Sequence, residues 1–147
     1  MAAGCRFCEI AGHPSYVVFE DELSIAFLDY RPLFLGHTLL IPKAHYETLA
    51  DLPSEMIGPF FSNVQLLSRA VEQAMEAEGS FVAINNRVSQ SVPHLHVHIV
   101  PRRKKDGLRG FFWPRQSHPD EEAMRQAQTA IRAALTQVSA TNRRKEE

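Results

Sequence analysis

Three histidines stand at alternate positions in one short apolar segment of this chain. His94, His96 and His98 are separated by single apolar residues, so that the segment runs His-Leu-His-Val-His-Ile-Val. In a β-strand, side chains point alternately to opposite faces of the sheet, which places all three imidazoles on one face. Imidazole changes its charge near neutral pH, acts as a nucleophile, acid or base, and binds metal ions. A solvent-facing strand usually carries other polar residues, so this face indicates chemistry.

Two kinds of chemistry fit the spacing of the three imidazoles equally well. Histidines two positions apart on a strand can converge on one zinc ion, with zinc–nitrogen bonds of about 2.0–2.1 Å. A neutral imidazole can also attack an electrophile such as phosphorus, while neighbouring groups fix its tautomer and receive charge. The spacing alone therefore leaves metal binding and nucleophilic catalysis both open.

The cysteines add a second chemical signal near the start of the chain. Cys5 and Cys8 are the only two cysteines, and two residues separate them. This spacing makes a poor disulfide staple but is common in metal knuckles and in redox pairs. Both interpretations are open at this spacing, although the long following helix of a thioredoxin-like redox pair is absent.

The composition is ordinary for a globular protein of one domain. The 147 residues are 44% hydrophobic and 22% charged, with a formal net charge of −1. This charge gives no general attraction to nucleic acid or to a membrane surface, so an anionic ligand must be held by local groups. The sequence shows neither a signal peptide nor a run of about 18 apolar residues, which predicts a cytoplasmic location.

The elements that must position the histidines follow from the apolar pattern. Five β-prone segments are predicted to form an antiparallel sheet, at residues 16–20, 24–29, 37–42, 81–85 and 94–100. Between residues 54 and 79, apolar residues recur every three or four positions, which predicts a central amphipathic helix ended by Gly79. The fold class is therefore α+β.

A last helix is predicted at residues 119–138, where a proline and three acidic residues begin the segment. Its apolar stripe is thin and rich in alanine, so we expect it to pack at the periphery. Residues 1–138 are predicted to form one domain, and the polar, charge-mixed residues 139–147 to form a frayed tail.

The wider sequence resembles the histidine triad (HIT) superfamily, whose signature alternates three histidines with apolar residues and ends in two apolar residues. Residues 94–100 carry this signature, and Pro-Arg follows it. Residues 36–45, Gly-His-Thr-Leu-Leu-Ile-Pro-Lys-Ala-His, resemble the second block of the family, and Phe-Leu-Asp at 27–29 lies upstream at the family's spacing. Residues 5–10 match the opening of the cysteine-bearing branch. The resemblance covers residues 5–103 and implies a HIT-like fold.

This resemblance implies nucleotidyl hydrolase or transferase activity on a nucleoside 5′-phosphate that carries a leaving group, such as a phosphoramidate or a dinucleoside polyphosphate. In the family, the middle histidine attacks the α-phosphorus and water then hydrolyses the nucleotidyl-histidine, which assigns the nucleophile to His96. His98 and His37 are expected to hold its tautomer and stabilise the phosphate. The resemblance also implies a purine nucleotide as the ligand and a homodimer formed through the helix at 54–79.

The same resemblance places further residues around the substrate. The groups expected at the phosphate oxygens and the leaving group are Ser91, Gln90 and Asn85. Asp29 is expected at the ribose hydroxyls, where a carboxylate can accept two hydrogen bonds. Phe7 and Ile10 are expected to line the base pocket. An ordinary role as a loop hydrogen-bonding group is the alternative for Ser91, Gln90 and Asn85. A role in core packing is the alternative for Phe7 and Ile10.

The zinc set of the cysteine-bearing branch is also filled. In that branch, zinc is held by the two cysteines, by the histidine after Pro-Lys, and by the first histidine of the signature. The corresponding residues here are Cys5, Cys8, His45 and His94. Four protein ligands leave no open coordination position, so the resemblance implies a structural zinc that ties the N-terminal segment to the histidine segment.

Two segments depart from the family pattern or extend beyond it. The loop at 85–90 is shorter than the glycine-containing loop common in the family, and Ser89 stands where glycine is usual. This loop faces the leaving group. Residues 102–115 combine six cationic residues with three aromatic residues. They could hold a polyphosphate tail or a second nucleotide, or could form a solvated basic loop anchored by a buried aromatic cluster.

Two other functions compete with the nucleotidyl-transfer enzyme. The first is a nucleotide-binding regulatory module that keeps the pocket but has negligible turnover. The second is a hydrolytic zinc enzyme that uses the three histidines as metal ligands. The metal stoichiometry distinguishes the hydrolytic zinc enzyme from the other two functions. A single closed zinc site would count against the hydrolytic zinc enzyme, because such a site has no open coordination position.

Overall fold

The structure is a computed structural model that describes residues 3–12, 16–109 and 116–146. The chain divides into two compact units, Met1–Gly107 and Leu108–Glu147. The first unit contains a five-stranded antiparallel sheet with helical segments on both of its faces. This architecture confirms the predicted α+β fold.

The sheet is built from five short strands. They are β1 (Val17–Glu20), β2 (Ser24–Leu28), β3 (Thr38–Pro42), β4 (Gly79–Ile84) and β5 (Val97–Arg102). They lie in the order β1-β2-β3-β5-β4, and every neighbouring pair is antiparallel. The helices of this unit are α1 (Arg6–Gly12) and α2 (Ser54–Ala74), with a single 3-10 turn at Leu49–Asp51. The order of the strands places β3 and β5, which carry or adjoin the predicted histidines, side by side in the sheet.

Alternation along the strands divides the apolar side chains between two cores. The core on the α2 face includes Leu40, Phe60, Val64, Leu67, Leu95, Val97 and Ile99. The core on the α1 face includes Cys5, Phe7, Cys8, Ile25, Phe27, Leu39 and Ile41. Burying an apolar side chain contributes roughly 1.5–3 kcal/mol, so α1 is held to the sheet mainly by this second core. The apolar residues that alternate with the histidines point to the opposite face, and all three are fully buried: Leu95, Val97 and Ile99.

The strand that contains the last histidine of the signature begins later in the sequence than predicted. The sequence predicted a strand over 94–100, whereas β5 begins at Val97. The backbone groups before this point bond outside the sheet, because the N–H of Leu95 donates to the carbonyl of Tyr46 at 2.6 Å and the N–H of His94 to the carbonyl of Val92 at 2.8 Å. His94 and His96 therefore lie in an irregular segment before the strand, with a bend at His94, whereas His98 lies within the strand.

The central helix also ends before the predicted residue. It was expected to run to Gly79, but α2 ends at Ala74 and Gly79 begins β4. Glu76 adopts a left-handed conformation, with φ of 50°. The N–H of Ala77 then donates to the carbonyl of Glu72 at 2.9 Å, which is the hydrogen-bond pattern of a Schellman motif. The sequence prediction assigned this role to glycine, whereas a glutamate performs it.

The described part of the second unit, residues 108–109 and 116–146, contains the helix α3 (Glu121–Glu146). The Asp120 side chain accepts the N–H of Ala123 at 2.7 Å, which caps the first turn. The helix was predicted to end near residue 138, but it continues because the arginine, lysine and glutamate residues beyond that point are good helix formers. The division into a domain and a tail at 138 stays a prediction. Among the described residues, we find no helix with the length and apolar character needed to cross a membrane.

We expect the turn before β3 to require glycine at position 36, directly before His37. Gly36 has φ of +92°, and a Cβ atom there would lie 2.6 Å from Cγ of Met75. Gly36→Ala should lower the free energy of unfolding by about 1–3 kcal/mol. The matched control is Gly58→Ala within α2, where an added Cβ has no neighbour within 4 Å and should stabilise the helix by up to about 1 kcal/mol. Urea unfolding of both variants tests this prediction, which equal effects of the two changes would contradict.

Candidate functional site

A cavity opens on the α1 face of the sheet, within the first unit. Its volume is about 850 Å³, and its walls come from α1, from the end of β2 with the turn that follows it, and from the segment before β5. The predicted catalytic and substrate-binding residues on its walls are Phe7, Ile10, Asp29, Ser91, His96 and His98. The fold therefore brings most of the residues predicted to contact a substrate into one place.

His96 is held by the backbone of its own segment. Its Nδ1 atom lies 2.7 Å from the carbonyl oxygen of His94. Because a carbonyl oxygen only accepts, Nδ1 donates its hydrogen and Nε2 keeps a free lone pair. The Phe7 ring packs nearly perpendicular to the imidazole, with centroids 5.1 Å apart. Burial lowers the pKa of His96, whereas the bond to the His94 carbonyl opposes this effect. The geometry thus presents a neutral imidazole whose free lone pair is on Nε2.

The imidazoles of His98 and His37 form a pair beside His96. Nε2 of His37 lies 3.0 Å from Nδ1 of His98. Pairing of β3 with β5 produces this contact, because Leu39 lies opposite His98 in the register. The backbone N–H of Leu33 donates to Nδ1 of His37 at 3.1 Å. Oδ2 of Asp29 lies 3.7 Å from Nε2 of His37, which is too long for a hydrogen bond.

Both imidazoles of this pair have a lowered pKa. Burial is the main cause at His98, and the positive charge of a protonated His96 or His37 adds to it, so that the pKa falls to about 4 despite the opposing carboxylate of Asp29. Burial also lowers the pKa of His37, again against Asp29. Each ring is therefore neutral near pH 7 and carries one N–H and one lone pair.

The four residues predicted as metal ligands form a separate cluster. One ligand atom from each of Cys5, Cys8, His45 and His94 lies within 4.8 Å of the others. Nδ1 of His94 is 3.5 Å from Sγ of Cys5 and 3.6 Å from Sγ of Cys8, and Nδ1 of His45 is 3.4 Å from Sγ of Cys8. Both cysteines are buried and free of disulfide bonds.

The donor set of this cluster fits a tetrahedral zinc ion. Zinc–sulfur bonds of about 2.3 Å and zinc–nitrogen bonds of about 2.0–2.1 Å place neighbouring sulfur and nitrogen ligands about 3.6 Å apart. The observed sulfur–nitrogen separations are 3.4 to 3.6 Å. Nε2 of His94 lies 2.8 Å from the carbonyl of Pro42 and must donate its hydrogen there, which leaves Nδ1 free to bind metal.

Two predicted substrate-binding residues do not line the cavity. Asn85 and Gln90 are both absent from its walls. The Gln90 amide oxygen accepts the N–H of Arg87 at 2.7 Å, and its amide nitrogen donates to the carbonyl of Glu47 at 2.7 Å. The loop thus uses Gln90 to fix its own backbone, and the role predicted for these two residues at a leaving group stays a prediction.

The structure adds residues to the cavity that the sequence analysis did not single out. The Arg6 guanidinium lies 4.5 Å from the centroid of the Tyr30 ring and donates to its hydroxyl at 3.1 Å. This hydrogen bond lowers the pKa of Tyr30. Arg6, Tyr30 and Arg31 all line the cavity. The sequence holds no signal for this contact, because it joins residues that are 24 positions apart.

The basic segment at 102–115 is only partly described. The Arg102 guanidinium pairs with the Asp106 carboxylate, and the Arg103 guanidinium donates to a backbone carbonyl at the end of α2. These contacts lie at the end of β5 that is remote from the histidines, where they stabilise the turn that follows the strand. Residues 110–115, with the predicted aromatic cluster, lie outside the described residues.

The five-stranded antiparallel sheet, with alternating histidines beside a Cys-x-x-Cys pair, places this chain in the class of histidine-triad proteins. Residues 11–105 match the family model of the HIT domain. The chain belongs to the HIT family, which confirms the resemblance found in its sequence.

Three relatives illustrate the range of similar proteins. Protein hit of Bacillus subtilis (strain 168) is 40% identical over 124 residues, covering 82% of this chain and 84% of that protein. Adenylylsulfatase HINT3 of Arabidopsis thaliana is 36% identical over 108 residues, covering 71% of this chain but 55% of that protein. The asymmetrical bis(5′-nucleosyl)-tetraphosphatase of Schizosaccharomyces pombe is 36% identical over 94 residues, covering 63% of this chain and 52% of that protein. The chain spans only about half the length of the last two relatives.

Two solved structures share the fold. A member of the HIT family from Bacillus subtilis is 34% identical with a TM-score of 0.79, covering 88% of this chain and 96% of that chain. A Zn-bound histidine triad family protein from Mycobacterium smegmatis is 38% identical with a TM-score of 0.67, covering 94% of this chain and 97% of that chain. The second similarity is relevant to the cysteine–histidine cluster, because that protein binds zinc.

The low pKa of His98 predicts a specific dependence of stability on pH. Its pKa is 6.5 when unperturbed and about 4 in the folded protein, so unfolding takes up a proton between these values. The free energy of unfolding should therefore fall as the pH decreases below 6.5, and this loss should be complete below about 4. His98→Gln should show a smaller loss over the same range. Urea unfolding of both proteins at equal zinc concentration tests this, and parallel pH curves would refute it.

Proposed function

We propose that this chain is a nucleotidyl hydrolase or transferase that cleaves a nucleoside 5′-phosphate derivative at its α-phosphate, through a nucleotidyl-histidine intermediate on His96. The observation that carries the proposal is the hydrogen bond of 2.7 Å from Nδ1 of His96 to the carbonyl of His94. This bond leaves the lone pair on Nε2 of a ring that lines a cavity large enough for a nucleotide.

In the first step, Nε2 of His96 attacks the α-phosphorus. A phosphorus–nitrogen bond forms, and the bond from phosphorus to the leaving group breaks with its electron pair. The imidazole then carries a positive charge, and the Nδ1–H that donates to the His94 carbonyl becomes a charged donor. Hydrogen bonds from charged donors are stronger than neutral ones, so this contact stabilises the product of the attack more than the free enzyme.

In the second step, water attacks the phosphorus and the phosphorus–nitrogen bond breaks, which restores neutral His96. Over both steps one water molecule is consumed, with its hydroxyl on the phosphorus and its remaining proton on the leaving group. Ser91 lies on the cavity wall, where its hydroxyl is available to bond a phosphate oxygen or the leaving group. Another acceptor in place of water would make the same enzyme a transferase.

The substrate is a purine nucleotide derivative, and several cavity residues support this part of the proposal. Phe7 and Ile10 offer apolar surface for a base, and Asp29 offers a carboxylate for the ribose hydroxyls. An adenylylsulfatase and a bis(5′-nucleosyl)-tetraphosphatase are among the relatives. Phosphoramidates, adenylyl sulfate and dinucleoside polyphosphates all fit the general form of a nucleotidyl group joined to a leaving group.

The cysteine–histidine cluster is proposed to hold one structural zinc ion. Cys5, Cys8, His45 and His94 would fill all four positions, so that the metal supplies folding free energy and no open coordination position. It would fix α1 to the residue whose carbonyl orients His96. A homodimer formed through α2 and a cytoplasmic location belong to the same proposal, as does a ligand set restricted to small molecules, without nucleic acid or membrane.

The nucleophile is tested by His96→Ala. Loss of a covalent nucleophile removes several orders of magnitude in rate, so turnover of an adenosine phosphoramidate should disappear while nucleotide binding stays within a few-fold. Ser91→Ala and His37→Ala should be milder. Mass spectrometry of wild-type protein, quenched during turnover without acid, should show one added nucleoside monophosphate on the peptide that contains His96.

The outcome of that experiment also separates the rival functions. Turnover that survives in His96→Ala, with no adduct in the wild type, would refute the covalent mechanism. Tight nucleotide binding with negligible wild-type turnover on both phosphoramidates and diadenosine polyphosphates would instead support a regulatory binding module.

The zinc proposal is tested by Cys8→Ser. Metal that binds only the folded state raises its stability, so the wild type should contain one zinc per chain and lose melting temperature on chelation. The variant should already have the lower melting temperature, and a chelator should change it little. Metal analysis and thermal unfolding measure both effects. A wild type without zinc, or a melting temperature unaffected by Cys8→Ser, would contradict the proposal.

A further inference from the structure

A second cluster of metal-binding residue types lies beside the cavity, with Asp29 and His98 on the cavity wall. Ligand atoms of Asp29, His37 and His98 all lie within 4.8 Å of one another. Nε2 of His37 is 3.0 Å from Nδ1 of His98 and 3.7 Å from Oδ2 of Asp29. Ligands of a tetrahedral zinc with bonds of about 2.0–2.1 Å are separated by about 3.3 Å. The distances alone would therefore admit a metal ion here.

The backbone amide of Leu33 decides against a metal ion. Its N–H donates to Nδ1 of His37 at 3.1 Å, so Nδ1 must offer its lone pair to this donor. A neutral imidazole has one N–H and one lone pair, so the hydrogen of His37 lies on Nε2. The nitrogen that faces Asp29 and His98 therefore carries a hydrogen and has no lone pair for a metal ion.

The hydrogen on His37 in turn sets the tautomer of His98. Of the two acceptors near Nε2 of His37, Nδ1 of His98 at 3.0 Å is within hydrogen-bond distance and Oδ2 of Asp29 at 3.7 Å is not. Nδ1 of His98 accepts this hydrogen bond, so the hydrogen of His98 lies on Nε2. The low pKa of both rings supports this assignment of tautomers, because the assignment requires each ring to be neutral.

We propose that the Leu33 amide acts as a positioning group that fixes the tautomers of His37 and His98, so that the cluster presents an N–H to the cavity and does not bind a metal ion. His98 lines the cavity, and Nε2 is its only nitrogen left for a ligand. A neutral imidazole is a hydrogen-bond donor with little tendency to give up its proton. His98 therefore donates a hydrogen bond to a phosphate oxygen and does not protonate the leaving group.

A neutral donor at His98 is favourable because, in the proposed function on which this inference rests, a positive charge develops on the neighbouring His96. The centroids of the His96 and His98 rings are 5.0 Å apart. His96 becomes positively charged when it attacks phosphorus. A protonated His98 would repel that charge, whereas a neutral ring stabilises the phosphate oxygens without opposing the attack.

The contrast with His94 shows that the backbone partner assigns the role of each histidine. Nε2 of His94 donates to the carbonyl of Pro42, which frees Nδ1 for a metal ion. Nδ1 of His37 accepts from the amide of Leu33, which places a hydrogen where a metal ion would bind. A carbonyl partner therefore leaves a lone pair on the other ring nitrogen, whereas an amide partner leaves an N–H there.

The tautomers are tested first in the wild type, by nitrogen-15 NMR of the histidine rings at neutral pH. Nδ1 should be unprotonated and Nε2 protonated in both His37 and His98. A hydrogen on Nδ1 of His37 would overturn the proposal. This measurement needs neither turnover nor a variant, so its result is independent of whether the nucleotidyl-transfer function is correct.

Metal exclusion is tested by Leu33→Pro, which removes the amide hydrogen, with Leu33→Ala as the matched control that keeps it. The side chain is 52% exposed, so both changes remove little packing. Zinc-loaded protein is titrated with Co²⁺ while the ring signals of His37 and His98 are followed. Leu33→Pro should bind a second ion at these rings at least about tenfold more tightly than Leu33→Ala does. Equal affinities in the two folded variants, or tight Co²⁺ binding at these rings in the wild type, would overturn the proposal. If Leu33→Pro does not fold, the nitrogen-15 NMR and the Co²⁺ titration of the wild type test the proposal on their own.

Discussion

The hydrogen bond from Nδ1 of His96 to the carbonyl of His94 is the constraint on which the site depends. It fixes the orientation of the imidazole and the position of its lone pair in one contact of 2.7 Å. The segment can offer that carbonyl because it has not yet joined the sheet, where its backbone groups would pair with a neighbouring strand. The bond from the Leu95 N–H to the carbonyl of Tyr46 holds the segment in this arrangement.

His94 connects the cysteine–histidine cluster to the cavity. Its side chain faces the cysteines, and its backbone orients His96, so a displacement of the cysteine–histidine cluster would shift the imidazole of His96. All of β3, and all of β2 except Leu28, is buried, which leaves little freedom for local adjustment. Burial also lowers the pKa of His37, His96 and His98. The same packing that makes the sheet rigid therefore keeps the rings neutral.

The residue pattern along the chain predicted most of the secondary structure and the burial of the apolar side chains next to the histidines. The burial of Leu95, Val97 and Ile99 follows from alternation, and the five strands follow from runs of β-prone residue types. The meeting of Cys5 with His94 was expected from the family resemblance. Contacts set by single backbone conformations could not be predicted. Glu76 ends α2 in a conformation usually taken by glycine, and the stacking of Arg6 on Tyr30 joins distant parts of the chain. The loop that holds Gln90 likewise depends on a carbonyl far away in sequence.

The backbone partners of the histidines have a consequence for protein design. A strand with three alternating histidines, grafted alone onto another sheet, would carry the signature without the carbonyls and the amide that distinguish its nitrogens. Such a strand would be a general chelator of transition metals, because unrestrained imidazoles bind whichever ion is most available. Transplanting this arrangement of histidines therefore requires the turn that contains Leu33 and the strand end that contains Pro42, neither of which belongs to the signature.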